Sequence, residues 1–132
     1  MSTEDNKALV RRLIEEVWNT SDYSNLDALA APSFAESTKQ INQSVRMAFP
    51  DHSNTIDDII AEGDKVAVRW TLQGTHQGEL ETDLGRIPPT GKHVALTGMH
   101  IFRIADGKLV ERWAEADMLG VLQQLGAIPT PG

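Results

Sequence analysis

The second half of the sequence alternates apolar and polar residues on either side of two tight turns, and this pattern constrains the fold more than any other feature. Extended runs flank Gly63-Asp64 and again Asp106-Gly107, which are dipeptides typical of two-residue hairpin turns. The first half instead spaces its apolar residues three or four positions apart, as in "NKALVRRLIEEVW". Helices followed by hairpins predict an α+β domain in which an antiparallel sheet packs on N-terminal helices.

Three helices are predicted before the sheet and one after it. The first spans "STEDNKALVRRLIEEVWNT", the second is short and ends before Pro32, and the third covers "KQINQSVRMAF". A brief strand is predicted in "SFAES", and "ELETDLGRIPPTG" is predicted to be a loop because it is rich in Gly and Pro. "MLGVLQQLG" is the last predicted helix, and residues 127–132 are predicted to form a flexible tail.

Length and composition exclude several classes of function. The 132 residues predict a single domain over 1–132. A net charge of −7 argues against binding to nucleic acid or to an anionic membrane. The absence of cysteine excludes thiolate chemistry, and four scattered histidines without a ligand pattern predict no metal site. Because the first residues contain no apolar signal segment, we expect a cytoplasmic protein.

The aromatic residues indicate which face of each strand points inward, since residues two apart share a face. Trp70 predicts the inward set of the second strand, and His76 belongs to the same set. Phe102 predicts the inward set of the third strand, which includes His100, and Trp113 predicts that of the fourth. The opposite face is small and apolar, which predicts a homodimer that buries it. Its residues are Ala67, Thr71, Thr75, Ala95, Thr97, Ile101 and Val110.

The same alternation carries two carboxylates inward with Trp113, namely Asp117 and, unless a bulge intervenes, Glu115. A carboxylate in apolar surroundings has a raised pKa and can transfer protons near neutral pH. Asp117 is therefore a candidate general acid or base, and capping of the last helix is the alternative. Glu115 is a second candidate, with an ion pair to Arg112 or Arg103 as its alternative.

Histidine and apolar side chains complete the candidate site. His100 could orient a substrate or relay a proton, and ordinary packing in the core is the alternative. A further set could line a pocket for a small hydrophobic molecule, although each member would serve equally well in a plain core. This set is Trp18, Met47, Phe49, Trp70, His76, Phe102 and Trp113.

Four segments resemble the SnoaL-like polyketide cyclase family, of the superfamily that includes nuclear transport factor 2 and ketosteroid isomerase. They are "NKALVRRLIEEVWNT", "FPDHSNTIDDIIAEGDKVAVRWTLQGTHQGE", "IPPTGKHVALTGMHIFRIADGKLVERW" and "WAEADMLGVLQQLG". The resemblance implies a cone-shaped α+β barrel, in which a curved antiparallel sheet wraps around N-terminal helices and encloses an apolar pocket. It also implies frequent homodimers or tetramers through the outer face of the sheet.

The resemblance implies a chemistry as well. In characterised cyclases of the family the general acid/base is an aspartate at the end of the last long strand, and Asp117 in "WAEAD" matches that position. The implied reaction is the aldol closure of a polyketide ester without metal or cofactor. This chain departs from the family in "APSFAESTKQINQ", where no histidine follows Phe34 and the connection is short. The alternatives are a non-catalytic ligand-binding or dimerisation protein of this fold, and a dehydratase or epoxide hydrolase.

Overall fold

The computed structural model describes residues 2–129, and within them helices precede and follow an antiparallel sheet. Helix α1 (Thr3–Arg12) continues into a π-helical segment (Leu13–Trp18), and α2 (Leu26–Leu29) and α3 (Pro32–Ala48) follow. The strands are β1 (Ser53–Glu62), β2 (Lys65–Thr75), β3 (Leu80–Thr82), β4 (Gly85–Ile87), β5 (His93–Ala105) and β6 (Lys108–Ala116). Helix α4 (Met118–Gln124) comes last. No helix of residues 2–129 is long and apolar enough to cross a membrane.

The first helix begins with a capping box and buries the predicted apolar stripe. Ser2 Oγ accepts a hydrogen bond from the Asp5 N–H, and the Asp5 carboxylate accepts one from the Ser2 N–H. The stripe continues through the π segment and packs on the sheet to form the main core. Its buried members are Leu9, Val10, Leu13, Ile14 and Val17.

Strands β1, β2, β5 and β6 form one curved antiparallel sheet, as predicted. They lie side by side in the order β1-β2-β5-β6. Both predicted hairpin turns are present, because Gly63-Asp64 joins β1 to β2 and Asp106-Gly107 joins β5 to β6. Asp106 and Gly107 have φ values of 52° and 75°, as a type I′ turn requires. We call the face of the sheet that packs on the helices the inner face and the opposite one the outer face.

The inner faces of β2 and β5 are those predicted. Trp70 and Leu72 of β2 are buried, as are His100 and Phe102 of β5. These strands pair directly, so their inner-face side chains form one continuous apolar and aromatic surface beneath the helices.

Strand β6 contains a β-bulge that the sequence pattern did not reveal. Leu109 pairs with Ile104, but the next paired residue is Glu111, which faces Arg103, so Val110 is the extra residue. One extra residue exchanges the two faces of a strand for every residue that follows it.

Beyond the bulge, Trp113 and Glu115 lie on the outer face, where they pair with Ile101 and Met99 of β5. Trp113 is 48% exposed. The prediction that Trp113, Glu115 and Asp117 face inward is therefore wrong. Trp113 does not line a pocket on the inner face, and Asp117, two residues after Glu115, is exposed at the end of the strand. Arg112 takes an inner-face position instead.

Three further segments differ from their predictions or lie at the margin of the structure. Pro32 begins α3, since its fixed φ and missing N–H suit a first helical position, and "SFAES" is therefore helical. The predicted loop contains β3 and β4, which pair as a small hairpin too short to show alternation in the sequence. Of the predicted tail, residues 130–132 lie outside the described residues, and Ala127 donates a backbone hydrogen bond to Leu122.

Candidate functional site

A cavity of about 640 Å³ lies between α3, the β3–β4 hairpin and α4, above the inner face of the sheet. Its lining residues are Gln40, Ile41, Ser44, Val45, Met47, Phe49, Leu72, Glu79, Leu80, Glu81, Arg86, Val94, Leu96, Met118 and Val121. Most of them are apolar, and the three charged ones all belong to the hairpin or the residue before it. A cavity of this volume and lining suits a small, mostly apolar organic molecule. We call it the apolar cavity.

An aromatic cluster lies next to the apolar cavity on the inner face. The His100 ring stacks on Trp70, with ring centroids 5.0 Å apart and planes 14° apart. Trp18, from the π segment, meets His100 edge-on at 5.1 Å, and Phe102 lies 5.4 Å away. Gly98 makes room for this stack, because a Cβ there would lie 2.5 Å from Trp70 Cζ2.

Two ring nitrogens of this cluster are buried without a hydrogen-bond partner among the described residues, Trp70 Nε1 and His100 Nδ1. Burial, with a smaller effect of the positive charge of Arg112, lowers the pKa of His100 to about 3. His100 is therefore a neutral imidazole at neutral pH. An unpartnered buried donor costs about 1–3 kcal/mol. A polar ligand atom within reach would remove that cost.

The inner face is open beside His100. Ala114 pairs with His100 across the two strands, Ala116 pairs with Gly98, and both alanines are exposed although they occupy inner-face positions. Small side chains at these two positions therefore leave the edge of the inner face beside His100 accessible.

Asp117 lies at the junction of β6 and α4. Its Oδ1 accepts a hydrogen bond of 2.9 Å from the Gly120 N–H, so Asp117 caps α4. Its own N–H donates to the Thr97 carbonyl. Oδ2 accepts no hydrogen bond from residues 2–129 and remains free to act on a ligand. Asp117 is exposed and does not itself line the apolar cavity, whereas the next residue, Met118, does.

Arg112 is a functional candidate that the sequence pattern missed, because the bulge reverses its face. Its guanidinium lies 5.9 Å from the centroid of the Trp18 ring. Burial lowers the pKa of Arg112, since the charged form is partly desolvated. Unlike Arg69 and Arg103, it has no carboxylate within ion-pair distance among the described residues.

The remaining predicted residues are dispersed. Met47 and Phe49 line the apolar cavity. His76 is fully buried, and its Nδ1 lies 3.2 Å from the Thr90 N–H, from which it accepts a hydrogen bond. That acceptor role fixes the segment before β5. Glu115 is exposed on the outer face, where it pairs with Met99, so it lies on the opposite side of the sheet from the aromatic cluster.

Two groups of the predicted residues therefore each lie together in the structure, and the others, including Trp113 and Glu115, belong to neither group. The aromatic cluster unites Trp18, Trp70, His100 and Phe102, while Met47 and Phe49 share the apolar cavity. Within residues 2–129, no group of three or more His, Asp or Glu side chains is arranged to hold a metal ion.

Several solved structures have the same architecture as this chain. AclR, a proposed hydroxylase from Streptomyces galilaeus, is 31% identical, with a TM-score of 0.84 over 99% of this chain and 87% of its own. TsrD from Streptomyces laurentii is 28% identical, with a TM-score of 0.84 over 97% of this chain and 99% of its own. A proposed SnoaL-like polyketide cyclase from Jannaschia sp. CCS1 is 26% identical, with a TM-score of 0.83 over 96% and 95% of the two chains.

The sequence itself agrees with these structural likenesses. No curated protein matches it closely enough to be informative. The family model of the SnoaL-like polyketide cyclases, however, matches residues 8–125, which include the inner-face strands, the apolar cavity and Asp117. The chain therefore belongs to the SnoaL-like polyketide cyclase family.

Proposed function

We propose that the protein catalyses proton transfer, of the kind that drives an aldol-type cyclisation, on a small hydrophobic carbonyl compound bound in the apolar cavity. The main support is the cavity itself, which is large enough for such a molecule, includes Met118 next to Asp117 in its lining, and shares the inner face of the sheet with the neutral imidazole of His100. The open inner face at Ala114 and Ala116 supports access of a ligand to His100 from the end of β6, where Asp117 follows.

In the proposed reaction, Asp117 Oδ2 removes a proton from the carbon next to the carbonyl group. The electron pair moves onto the carbonyl oxygen, and the neutral His100 ring donates a hydrogen bond to the resulting enolate oxygen. The enolate carbon then forms the new bond to a second carbonyl of the same molecule, and protonated Asp117 returns its proton to the new alkoxide. The reaction needs no cofactor. Glu115 has no part in it, because it lies on the outer face.

Proton removal is expected to be measurable without the natural substrate. The wild-type protein should speed the exchange of the α-hydrogens of 2-tetralone for deuterium in D₂O, followed by NMR. Ser44→Phe should lose most of this activity, because Ser44 lines the apolar cavity and the added ring would fill it. Gln43→Phe is the matched control, since Gln43 is exposed on the same helix and does not line the cavity.

Two outcomes would contradict the proposal. If 2-tetralone binds in the cavity but its hydrogens do not exchange above the background rate, the protein is a ligand-binding member of its fold. If Ser44→Phe and Gln43→Phe exchange as fast as the wild type, the chemistry takes place outside the apolar cavity.

We also propose a homodimer that buries the outer face of the sheet. One row of cross-strand neighbours runs over all four strands through Ile60, Ala67, Ile101 and Trp113, and its three large members are 44–67% exposed. Such a continuous exposed apolar row is typical of an interface. Like the cytoplasmic location, the dimer stays a prediction.

Sedimentation should give a mass of twice 14.5 kDa at micromolar concentration. Trp113→Lys should shift the protein toward a single chain, because it places a charge in the centre of the apolar row. Leu119→Lys is the control, since Leu119 is similarly exposed at 60% but lies on α4. A wild-type protein that sediments as one chain would contradict the proposal.

A further inference from the structure

Arg112 is the one Lys or Arg on the inner face of the four-stranded sheet within residues 2–129. It pairs across the strands with Phe102, which is fully buried. The chain has 19 Asp and Glu residues, and other arginines such as Arg69, Arg86 and Arg103 each pair with at least one of them. Among the described residues, no acidic side chain lies within ion-pair distance of the partly desolvated guanidinium of Arg112, so an anion from outside the chain would interact favourably with it.

A second cavity, of about 210 Å³, lies in front of Arg112 between α3 and β6. Its walls include Ser33, Ser37 and Thr38 of α3, whose hydroxyl groups make no hydrogen bond to another described residue. It shares no lining residue with the apolar cavity. This second cavity is therefore polar, with one fixed positive charge and three hydroxyl groups available.

Neighbouring residues do not supply the missing anion. Glu111 contributes to the wall, but its carboxylate binds Arg103 on the outer face. Trp18 faces the guanidinium of Arg112 at 5.9 Å, and this contact stabilises the charge without neutralising it.

We propose that the second cavity binds the carboxylate group of a small-molecule ligand, which Arg112 holds through two parallel N–H···O bonds. The planar guanidinium matches a carboxylate in this way, and Ser37 and Thr38, which line the same cavity, would donate hydrogen bonds from their hydroxyl groups to the same anion. A carboxylate fits better than a phosphate, because a single cation in a chain of net charge −7 favours a monoanion over a dianion. The site goes beyond the proton-transfer reaction proposed above, and its test does not depend on turnover.

Titration with benzoate and with its neutral analogue benzamide tests the site, with binding followed through the backbone amide signals of residues 33–38 and 110–112 by NMR. The wild-type protein should bind benzoate roughly ten-fold or more tightly than benzamide, which is the usual worth of a charge-assisted pair. Arg112→Gln should make the two affinities equal. Arg69→Gln is the matched control, because Arg69 lies on the outer face of β2 and neither it nor its ion-pair partners line the second cavity, and it should keep the preference for benzoate.

Arg112→Gln should fold at least as stably as the wild type, because it removes a desolvated charge that has no ion-pair partner. Should it fail to fold, Ser37→Ala provides a second variant, which should weaken benzoate binding and leave benzamide binding unchanged. Equal affinities of the wild type for benzoate and benzamide would overturn the proposal. A preference for benzoate that survives in Arg112→Gln would also overturn it. If Arg112→Gln does not fold, an undiminished preference for benzoate in Ser37→Ala would do the same. Inorganic phosphate that shifts the same signals at lower concentration than benzoate would overturn the choice of carboxylate.

Discussion

Asp117→Asn is expected to slow the exchange of ketone α-hydrogens by about 10²–10⁴-fold, the usual contribution of a general acid or base. Asparagine keeps the side-chain oxygen that accepts the hydrogen bond from the Gly120 N–H, and it is a good helix N-cap. It lacks the carboxylate that accepts and returns a proton. The variant should therefore retain its thermal stability and its affinity for 2-tetralone while the exchange rate measured by NMR falls.

Glu115→Gln is the matched control for this experiment. It makes the same chemical change two residues earlier, but Glu115 lies on the outer face of the sheet and is exposed. We expect exchange at the wild-type rate. Full activity in a folded Asp117→Asn protein would show that the carboxylate only caps α4, and the proton-transfer residue would have to be sought elsewhere.

Much of the fold could be predicted because its signals are local. The buried stripe from Leu9 to Val17 follows from helical spacing alone, and the turn at Asp106-Gly107 follows from two residues that tolerate positive φ. Pro32 was more ambiguous, since proline can end one helix or begin the next, and only the packing of α3 decides between them.

The candidate site was harder to predict because it depends on one residue of register. The bulge at Val110 has no local signature, since neither Gly nor Pro marks it, and it arises from how β6 pairs with β5. Aromatic residues usually face inward, so Trp113 favoured the wrong face, while Arg112 and the two alanines beyond it gave no apolar signal of their own. The sequence thus located Asp117 at its junction and could not reveal the arginine on the inner face.

The position of Arg112 also changes the interpretation of His100. A histidine near a carboxylate is often a proton relay, but here burial and a neighbouring guanidinium keep the imidazole neutral. A neutral ring can polarise a carbonyl oxygen by donating a hydrogen bond, and it leaves Asp117 as the one group of the proposed pair that exchanges a proton.

The neutral imidazole of His100 should make the free energy of unfolding depend on pH. An unfolded histidine has a pKa of about 6.5, whereas the native pKa of His100 is about 3, so between these values the unfolded state binds more protons than the native state. The contribution of His100 to stability is therefore complete above pH 6.5 and is lost as the pH falls toward 3. The free energy of unfolding should decrease by up to about 1.4 kcal/mol per pH unit within that window.

His100→Phe tests this expectation, because phenylalanine keeps an aromatic ring against Trp70 and Trp18 but cannot be protonated. It also removes the unpartnered Nδ1, so the variant should be at least as stable as the wild type at pH 7.5. Urea denaturation of both proteins at half-unit steps from pH 7.5 to 4 should show a shallower decline in the variant below pH 6.5. Parallel declines would mean that native His100 takes up a proton as readily as the unfolded chain, which contradicts a neutral hydrogen-bond donor beside the substrate oxygen.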